Sequence, residues 1–433
     1  MLFGLSPIWG LLPLLLYIVL AFKKGMHPLV NVAVCVLFGA ILTKQPLGSL
    51  GAVISKSMGS FLALVGLIIM LGAGLGAVLR KTGVADNIVN ILMRRIGVST
   101  QKRAIIATMV CSVVLVTLLG TLAGANAIIA PIVIPLVAAV GICPSTLAVI
   151  FQGAGQTGLF LSPFSPPMVT LMGISGLSYP QILLCAGLPI SIIMWIGVYF
   201  TALSIQKHAD GSEKFEGSAE APADYTPTPA ASRATAAFLI TMALLVAYGI
   251  YAKGGASYVI IVMLTAAIVT GVAGGLSLGA IFDAIMEGCG KMFWLYFMFL
   301  LFNPFLDFVV KSGAFGALVD LLKPYLQSTG KLGFSLLTGA IGVFGINGAA
   351  VAQAMMMNEM FAGFLQPLGI SMQLWVLIVL VGHQITSFAY PGLDMLAQMG
   401  LAHAKDVKPM LKLAYFAIIP GTFLAIAIGS FLL

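Results

Sequence analysis

The sequence predicts an all-α polytopic membrane protein of two inverted-topology repeats, each with about five transmembrane helices plus one re-entrant hairpin, and with discontinuous helices at the midplane. Three observations carry that expectation. Of the 433 residues, 60% are hydrophobic and 8% charged, with a mean hydropathy of +1.11; a water-soluble fold of that composition would be left with an apolar exterior. Short matches recur in order at an offset near 228 residues, which marks an internal repeat. Two apolar segments are interrupted at matching places, by "GQTGLFLSPFSPP" (155–167) and by "VGHQITSFAYPGLDML" (381–396).

Crossing a hydrocarbon core of about 30 Å takes roughly 20 helical residues, and about ten such stretches are legible. They lie near 5–22, 28–43, 59–79, 145–175, 180–205, 235–252, 256–276, 290–310, 373–399 and 412–433. The first is followed by Lys23 and Lys24 and shows no small-residue cleavage pattern, so it is expected to stay as a helix rather than leave as a signal peptide. The amphipathic stretches 49–58, 83–96 and 277–289 read as interfacial helices. At 104–140 and 332–365 an apolar run is divided only by "GTLAGAN" or "GVFGIN", with no charged or aromatic belt at a water interface. Each arm has roughly 15 residues, about 21 to 24 Å, which is short for a crossing. A hairpin turning at Gly124, Ala125 and Asn126, or at Gly345, Ile346 and Asn347, is therefore expected. Two short tilted spans are the alternative; they change the crossing count by an even number and leave the relative orientation of the halves intact. The small-residue patterns "GAGLGAVL" and "SGAFGALV" suit close helix packing.

Charge sets the expected orientation. The basic residues divide 15 against 6 between the two sides, accounting for all 21, and the richer side is expected to be cytoplasmic with both termini outside. Topology thus accounts for the net charge of +8 without nucleic acid as a partner. Residues 207–233 are rich in Ala, Pro and Ser and hold five of the 13 acidic residues. They read as a flexible cytoplasmic linker between an N-terminal repeat, 1–206, and a C-terminal repeat, 234–433. The five cysteines are scattered singly and read as small apolar packing residues, with no metal-ligand spacing.

The repeat is collinear along both halves. "SLGAVI" (49–54) returns as "SLGAIF" (277–282), "RKTGVAD" (80–86) as "VKSGAFG" (310–316), and "STQK" (99–102) as "STGK" (328–331). "GAN" at 124–126 faces "GIN" at 345–347, Gln156 meets Gln384, and Pro163 meets Pro391. Five complete crossings between the two "SLGA" points, an odd number, would point the halves in opposite directions. Inverted repeats with interrupted helices at matching places recur in secondary transporters, where the solute lies near the midplane.

The breaks supply the chemistry. Proline removes an amide donor and pushes the preceding residue away from helical geometry, leaving carbonyls free on one side and amides on the other. Free carbonyls can coordinate Na+, and an exposed helix N-terminus attracts an anionic group. Asn126, Gln152, Gln156, Thr157, Ser162 and Ser165 in the first half, and Asn347, His383, Gln384, Thr386 and Ser387 in the second, are the candidate solute-binding residues. For any one of them the plainer reading is a hydrogen bond to a neighbouring helix, of order 0.6 to 2 kcal/mol. Asp394 and Glu359 are the candidate carboxylates for proton or cation coupling, because acids at membrane depth are costly; Glu359 is expected nearer the surface. Asp307 is expected to pair locally with Lys311, and Asp86 to be solvated. No arginine is expected within the site, so an anion would rest on amides, hydroxyls and helix ends. A channel is disfavoured by the lack of a charged ring or carbonyl filter. An enzyme is disfavoured because no His or Cys cluster or carboxylate pair is legible, and no cofactor beyond the coupling ion is expected.

A hairpin with Asn at its tip, followed by "AIIAPIVIPL" and a span broken at "SPFSPPMVTLMG", with both features repeated, resembles the ion transporter superfamily. It is nearest the prokaryotic Na+/H+ antiporter family, related to the citrate, gluconate, dicarboxylate and lactate permeases. The resemblance implies Na+ near Asn126 and Asn347, a homodimer in the inner (cytoplasmic) membrane, and a transport domain sliding like an elevator against a scaffold. It also implies a secondary active transporter coupled to Na+ or H+, moving a small carboxylate-bearing solute, with a Na+/H+ antiporter lacking any organic substrate as the alternative. The tips read Ala-Asn-Ala and Ile-Asn-Gly where dicarboxylate carriers have Ser-Asn-Thr, a departure that bears on both a dicarboxylate substrate and the number of Na+ sites.

Overall fold

A computed structural model of the chain describes residues 6–21, 27–208, 213–215, 226–252, 254–345 and 350–433. Among these residues every regular element is helical, and eight helical units are long and apolar enough to cross a membrane, with three shorter apolar helices beside them.

In the first half a 3-10 turn leads into α1 (Leu12–Ala21), followed by α2 (Pro28–Leu42), α3 (Leu50–Ser57), α4 (Phe61–Lys81) and α5 (Val84–Ile96). Next come α6 (Gln101–Leu119) and α7 (Leu122–Ala139), then the broken pair α8 (Pro144–Leu161) and α9 (Pro166–Ser175). Last, α10 (Tyr179–Ile182) runs through a π-turn into α11 (Leu188–His208). The second half begins with α12 (Pro229–Tyr251), α13 (Tyr258–Ala273), α14 (Leu278–Lys311), α15 (Ala314–Val343) and α16 (Ala350–Phe361). Its broken helix is α17 (Met372–Gln384), α18 (Thr386–Ala389) and α19 (Leu393–Leu401), and it ends with α20 (Lys408–Leu413), a π-turn and α21 (Ile419–Leu432).

Four expectations need correction. The first hairpin turns at Gly120 and Thr121, not at 124–126, because Gly120 takes the left-handed conformation that caps α6, and Asn126 is already inside α7. Its arms have 19 and 18 residues rather than about 15. The interfacial helix expected at 277–289 and the span at 290–310 are one 34-residue helix, α14; no breaker separates them, and Lys291 bonds Glu287 one turn earlier. Finally, α12 begins at Pro229, capped by the Thr228 hydroxyl, so the end of the expected linker is helix. Of the remaining linker, residues 213–215 lie against the fold: Phe215 is buried and the Ser145 amide donates to Glu213 Oε2 at 3.3 Å. Residues 209–212 and 216–225 are outside the described set.

The backbone carries the repeat independently of side-chain identity. Among the described residues eleven have positive φ, and ten of them pair at separations of 227 to 233: Lys44 with Gly275, Gly83 with Gly313, Gly97 with Gly330, Gly141 with Gly369, and Gly176 with His403. Two of these residues carry a Cβ, for which left-handed backbone costs roughly 1 to 2 kcal/mol. The π-turns pair as well: Leu188 N–H reaches Leu183 O, and Ile419 N–H reaches Ala414 O. One residue further stand Pro189 and Pro420. A helical proline has no N–H and crowds the carbonyl four residues back, and the wider turn before it relieves that conflict.

The helices form two bodies. In one, α4 and α14 lie at the centre, with α2 and α13 against them and α1 and α12 outside. Their axes come close because of small residues: a Cβ on Gly288 would stand 2.3 Å from Ala73 O, and one on Gly74 3.0 Å from Ile285 O. "GAGLGAVL" is therefore a packing face, as expected. In the other body α8 runs beside α6 and α11, and α17 beside α15 and α21.

Candidate functional site

Both expected interruptions are present. Ser162 is extended (φ −80°, ψ 121°) at the end of α8, and Ser165 starts α9 with its hydroxyl accepting from Met168 N. In the second half Tyr390 (φ −156°, ψ 160°), Pro391 and Gly392 separate α18 from α19. The halves then exchange parts: α9 packs on α16 and α17, and α19 packs on α7 and α8.

Where they cross, long amide side chains link them. Gln156 Nε2 donates to Gln384 Oε1 at 2.7 Å across 228 residues of chain, so the matching glutamines of the two repeats bond each other. One turn earlier on α8, Gln152 Nε2 donates to the Ser387 carbonyl (3.4 Å) and hydroxyl (3.3 Å). Asn126 is fully buried; its Oδ1 accepts from Ser112 Oγ (2.7 Å), and its Nδ2 donates to Phe151 O (3.1 Å) and Gln398 Oε1 (2.7 Å).

Backbone carbonyl partners fix which way Gln152 and Asn126 point. Because Gln152 Nε2 faces a carbonyl, its Oε1 is the end left without a partner; Gln156 Oε1 is unpartnered as well. Because Asn126 must donate to Phe151, Gln398 must accept, and Gln398 Nε2 is left unpartnered. Buried polar atoms are nearly always hydrogen-bonded. The crossing thus offers two acceptor oxygens and one donor.

The other expected site residues sort differently. The Thr157 hydroxyl donates to Ala154 O and accepts from Trp195 Nε1; Ser165 Oγ donates to Leu159 O and Ser162 O; Ser162 Oγ accepts from Phe164 N. Those three satisfy the break itself. Thr386 Oγ1 donates to Gly342 O and Gly382 O, and Ser387 Oγ to Gln384 O. His383 is buried, with Nδ1 on Val379 O and Nε2 unpartnered. Asp394 stands half-buried in the first turn of α19, whereas Glu359 is exposed on α16. Asn347 lies outside the described residues. Asp307 accepts from Asn303 Nδ2, and Lys311 lies over the Phe308 ring, in place of the expected Asp307–Lys311 pair.

Sequence reasoning missed Ser112, Gln353 and Gln398. Gln353 does in the second half what Asn126 does in the first, tying the outgoing hairpin arm to Gly342 O on α15 and Gly382 O on α17. Its position, 227 residues after Asn126, was the available signal. A cavity of about 170 Å³ lies between the hairpin turn, the start of α9 and the faces of α4 and α14, and its wall includes Arg80 and Lys291. Among the described residues no three of His, Cys, Asp or Glu group as a metal site.

The comparisons with known proteins agree with this geometry. The model of the Na+/H+ antiporter family matches residues 16–205. Low-affinity gluconate transporters of Escherichia coli K12 and O157:H7 are each 28% identical to it over 194 residues, 41% of this chain and 40% of theirs. The match therefore spans about two fifths of those relatives. The crystal structure of the YdaH transporter of Alcanivorax borkumensis, described as having an unusual topology, shares the fold at a TM-score of 0.57 and 16% identity, covering 94% of this chain and 97% of that one. Fold and site define a multi-pass helical membrane protein with paired broken helices. In its first half the chain is similar to the Na+/H+ antiporter family and to gluconate transporters, and over nearly its whole length it shares the YdaH fold.

Proposed function

We propose that the protein is a secondary active transporter moving a small carboxylate-bearing solute, an organic acid or amino acid, across the cytoplasmic membrane, coupled to Na+ or H+. The observation that carries this reading is the meeting of two interrupted helices through Gln156 and Gln384, with buried amide atoms left over beside the breaks. Unpaired polar atoms at membrane depth are costly, and a solute or ion that bonds them only in the loaded state repays the cost. The name of the gluconate transporters supports an organic acid. The separate body of α1, α2, α4, α12, α13 and α14 supports an elevator-like motion of the hairpins and broken helices against a scaffold, and the paired backbone features support two repeats of opposite orientation.

Orientation follows from charge. Lys412 Nζ lies 3.0 Å from Ser204 Oγ, about one helical turn before Lys207, and Lys81 follows Arg80 at the end of α4. By the positive-inside rule the basic side is cytoplasmic and the termini are outside. A homodimer rests on the family resemblance alone.

The rival reading is a Na+/H+ antiporter without organic substrate, favoured by the family model over residues 16–205. It requires an exchanging carboxylate; with Glu359 exposed, Asp394 is the candidate. Purified protein in liposomes, under an imposed Na+ or pH gradient, is to be offered radiolabelled organic acids, gluconate included, and amino acids. Gradient-driven uptake of one of them is the expected result. Na+-dependent proton movement with no uptake favours the antiporter, and Asp394→Asn should then abolish coupling.

A further inference from the structure

Two cavities approach the first break from opposite ends of α9. The 170 Å³ cavity follows one stripe of α4, from Ile68 through Gly72 and Gly76 to Arg80. Twelve residues of helix make that stripe about 18 Å long. At one end are Arg80 and Lys291; at the other are Thr121, which begins α7, and Phe164 in the break. Arg80 makes no hydrogen bond among the described residues but lies in the field of Glu287, which bonds Lys291 at 3.1 Å and pairs with Lys81 at 3.6 Å, so that three cations stand against one carboxylate. The second cavity, about 680 Å³, runs beside α9 from Ser178 and Tyr179 to Pro163 and Phe164. Among the described residues Phe164 alone lines both. It is buried, and its backbone closes on the hairpin turn: a Cβ on Gly120 would stand 3.6 Å from Phe164 O.

We propose that the smaller cavity receives the solute's carboxylate against Arg80 and Lys291, and that Phe164 is the barrier separating it from the larger cavity on the opposite side. This rests on the carboxylate-transport reading above and adds a place and a barrier to it. A guanidinium and an ammonium at the mouth draw an anion in, and the uncapped amides at the start of α7 extend the positive field inward. The walls between are apolar or glycine, so the charge is met at the ends of the cavity. An aromatic ring at the junction excludes water and ions without a charge of its own.

The test needs no transport. Thr121→Cys is placed in a Cys185→Ser background, since the other four native cysteines are buried. It is labelled in oriented vesicles with two membrane-impermeant methanethiosulfonates, one ending in a sulfonate and one in a trimethylammonium. The sulfonate reagent should react about tenfold faster relative to the cationic one than it does with a free thiol, and only from the Arg80 side. Arg80→Gln with Lys291→Gln should erase the preference. Phe164→Ala should open the introduced thiol to reagent from the opposite side; Phe164→Val, which removes the ring but keeps an apolar side chain, serves if alanine prevents folding and should open it as well, and one-sided labelling in the folded variant would remove Phe164 as the barrier. Equal rates for the two reagents, a preference that survives the double substitution, or labelling from both sides with Phe164 intact would overturn the proposal. Uptake of a carboxylate together with any of those results sinks the cavity and spares the transporter reading. One-sided, charge-selective labelling without uptake does the reverse.

Discussion

Replacing Asn126 by Leu should destabilise the protein far more than replacing Gln398 by Met, although the two side chains bond each other. Leu matches Asn in shape, so the loss is mostly polar. Asn126 makes three hydrogen bonds while fully buried. Side-chain hydrogen bonds in membrane proteins are worth on average about 0.6 and at most about 1.7 kcal/mol, which gives a loss of about 2 to 5 kcal/mol. Gln398→Met breaks one of those bonds but also removes an unpartnered buried Nε2, whose desolvation costs about 1 to 3 kcal/mol. The two terms nearly cancel, so the expected change lies within about 1 kcal/mol of zero. Unfolding in mixed micelles of dodecyl maltoside and SDS, followed by tryptophan fluorescence, reads both; Trp375 is fully buried and reports on α17. If Gln398→Met costs as much as Asn126→Leu, the amide orientations assigned to Asn126 and Gln398 are wrong.

Other perturbations test the frame around the site. Gly288→Ala drives a methyl against the Ala73 carbonyl at 2.3 Å, whereas Gly290→Ala meets nothing within 4 Å. The first should lower the yield of folded protein sharply, and the second should be neutral or stabilising by up to about 1 kcal/mol from helix propensity, both read by size-exclusion profile and thermal unfolding. Burial pushes the Asp86 carboxyl in α5 above its ordinary value of 3.8. The folded state then holds that proton more firmly than the unfolded state, so its contribution to stability is greatest below 3.8 and falls as pH rises through the folded value. Asp86→Asn should lose that slope, so that it appears in the difference between wild-type and variant stability plotted against pH; a variant with the wild-type slope would show that the carboxyl is not buried.

Periodicity and interruption made most of the architecture legible. Spans and breaks follow from apolar runs and from proline, glycine and charge, which act over one or two turns. The hairpin turn was misplaced by about one helical turn because "GTLAGAN" holds two glycines and only one adopts positive φ. The continuity of α14 was obscured because charges at Glu287 and Lys291 resemble a membrane boundary, whereas the helix simply carries them onward as a pair. Gln398 and Gln353 were missed because their partners come from other helices, Asn126 on α7 and Gly382 on α17, and such contacts leave no local pattern.

Reach explains which polar residues are left for a solute. A serine or threonine hydroxyl sits one atom beyond Cβ and usually finds a backbone carbonyl three or four residues back in its own helix. At the crossing they do this: Thr157 with Ala154, Ser387 with Gln384, Thr386 with Gly382. In hydrocarbon, where each unmet group costs several kcal/mol, such residues are spent on closing the breaks. A carboxamide is longer and has about four bonding positions, too many for one neighbour to fill. Glutamine therefore both spans the two halves and keeps an atom unmet, as Gln152 and Gln156 do. It follows that Ser162→Ala and Thr157→Val should weaken the fold while leaving solute affinity unchanged per folded molecule, and that Gln152→Leu should do the opposite. Comparing uptake KM with unfolding midpoint for the three variants separates the two roles, and a raised KM in Ser162→Ala at unchanged stability would refute the division.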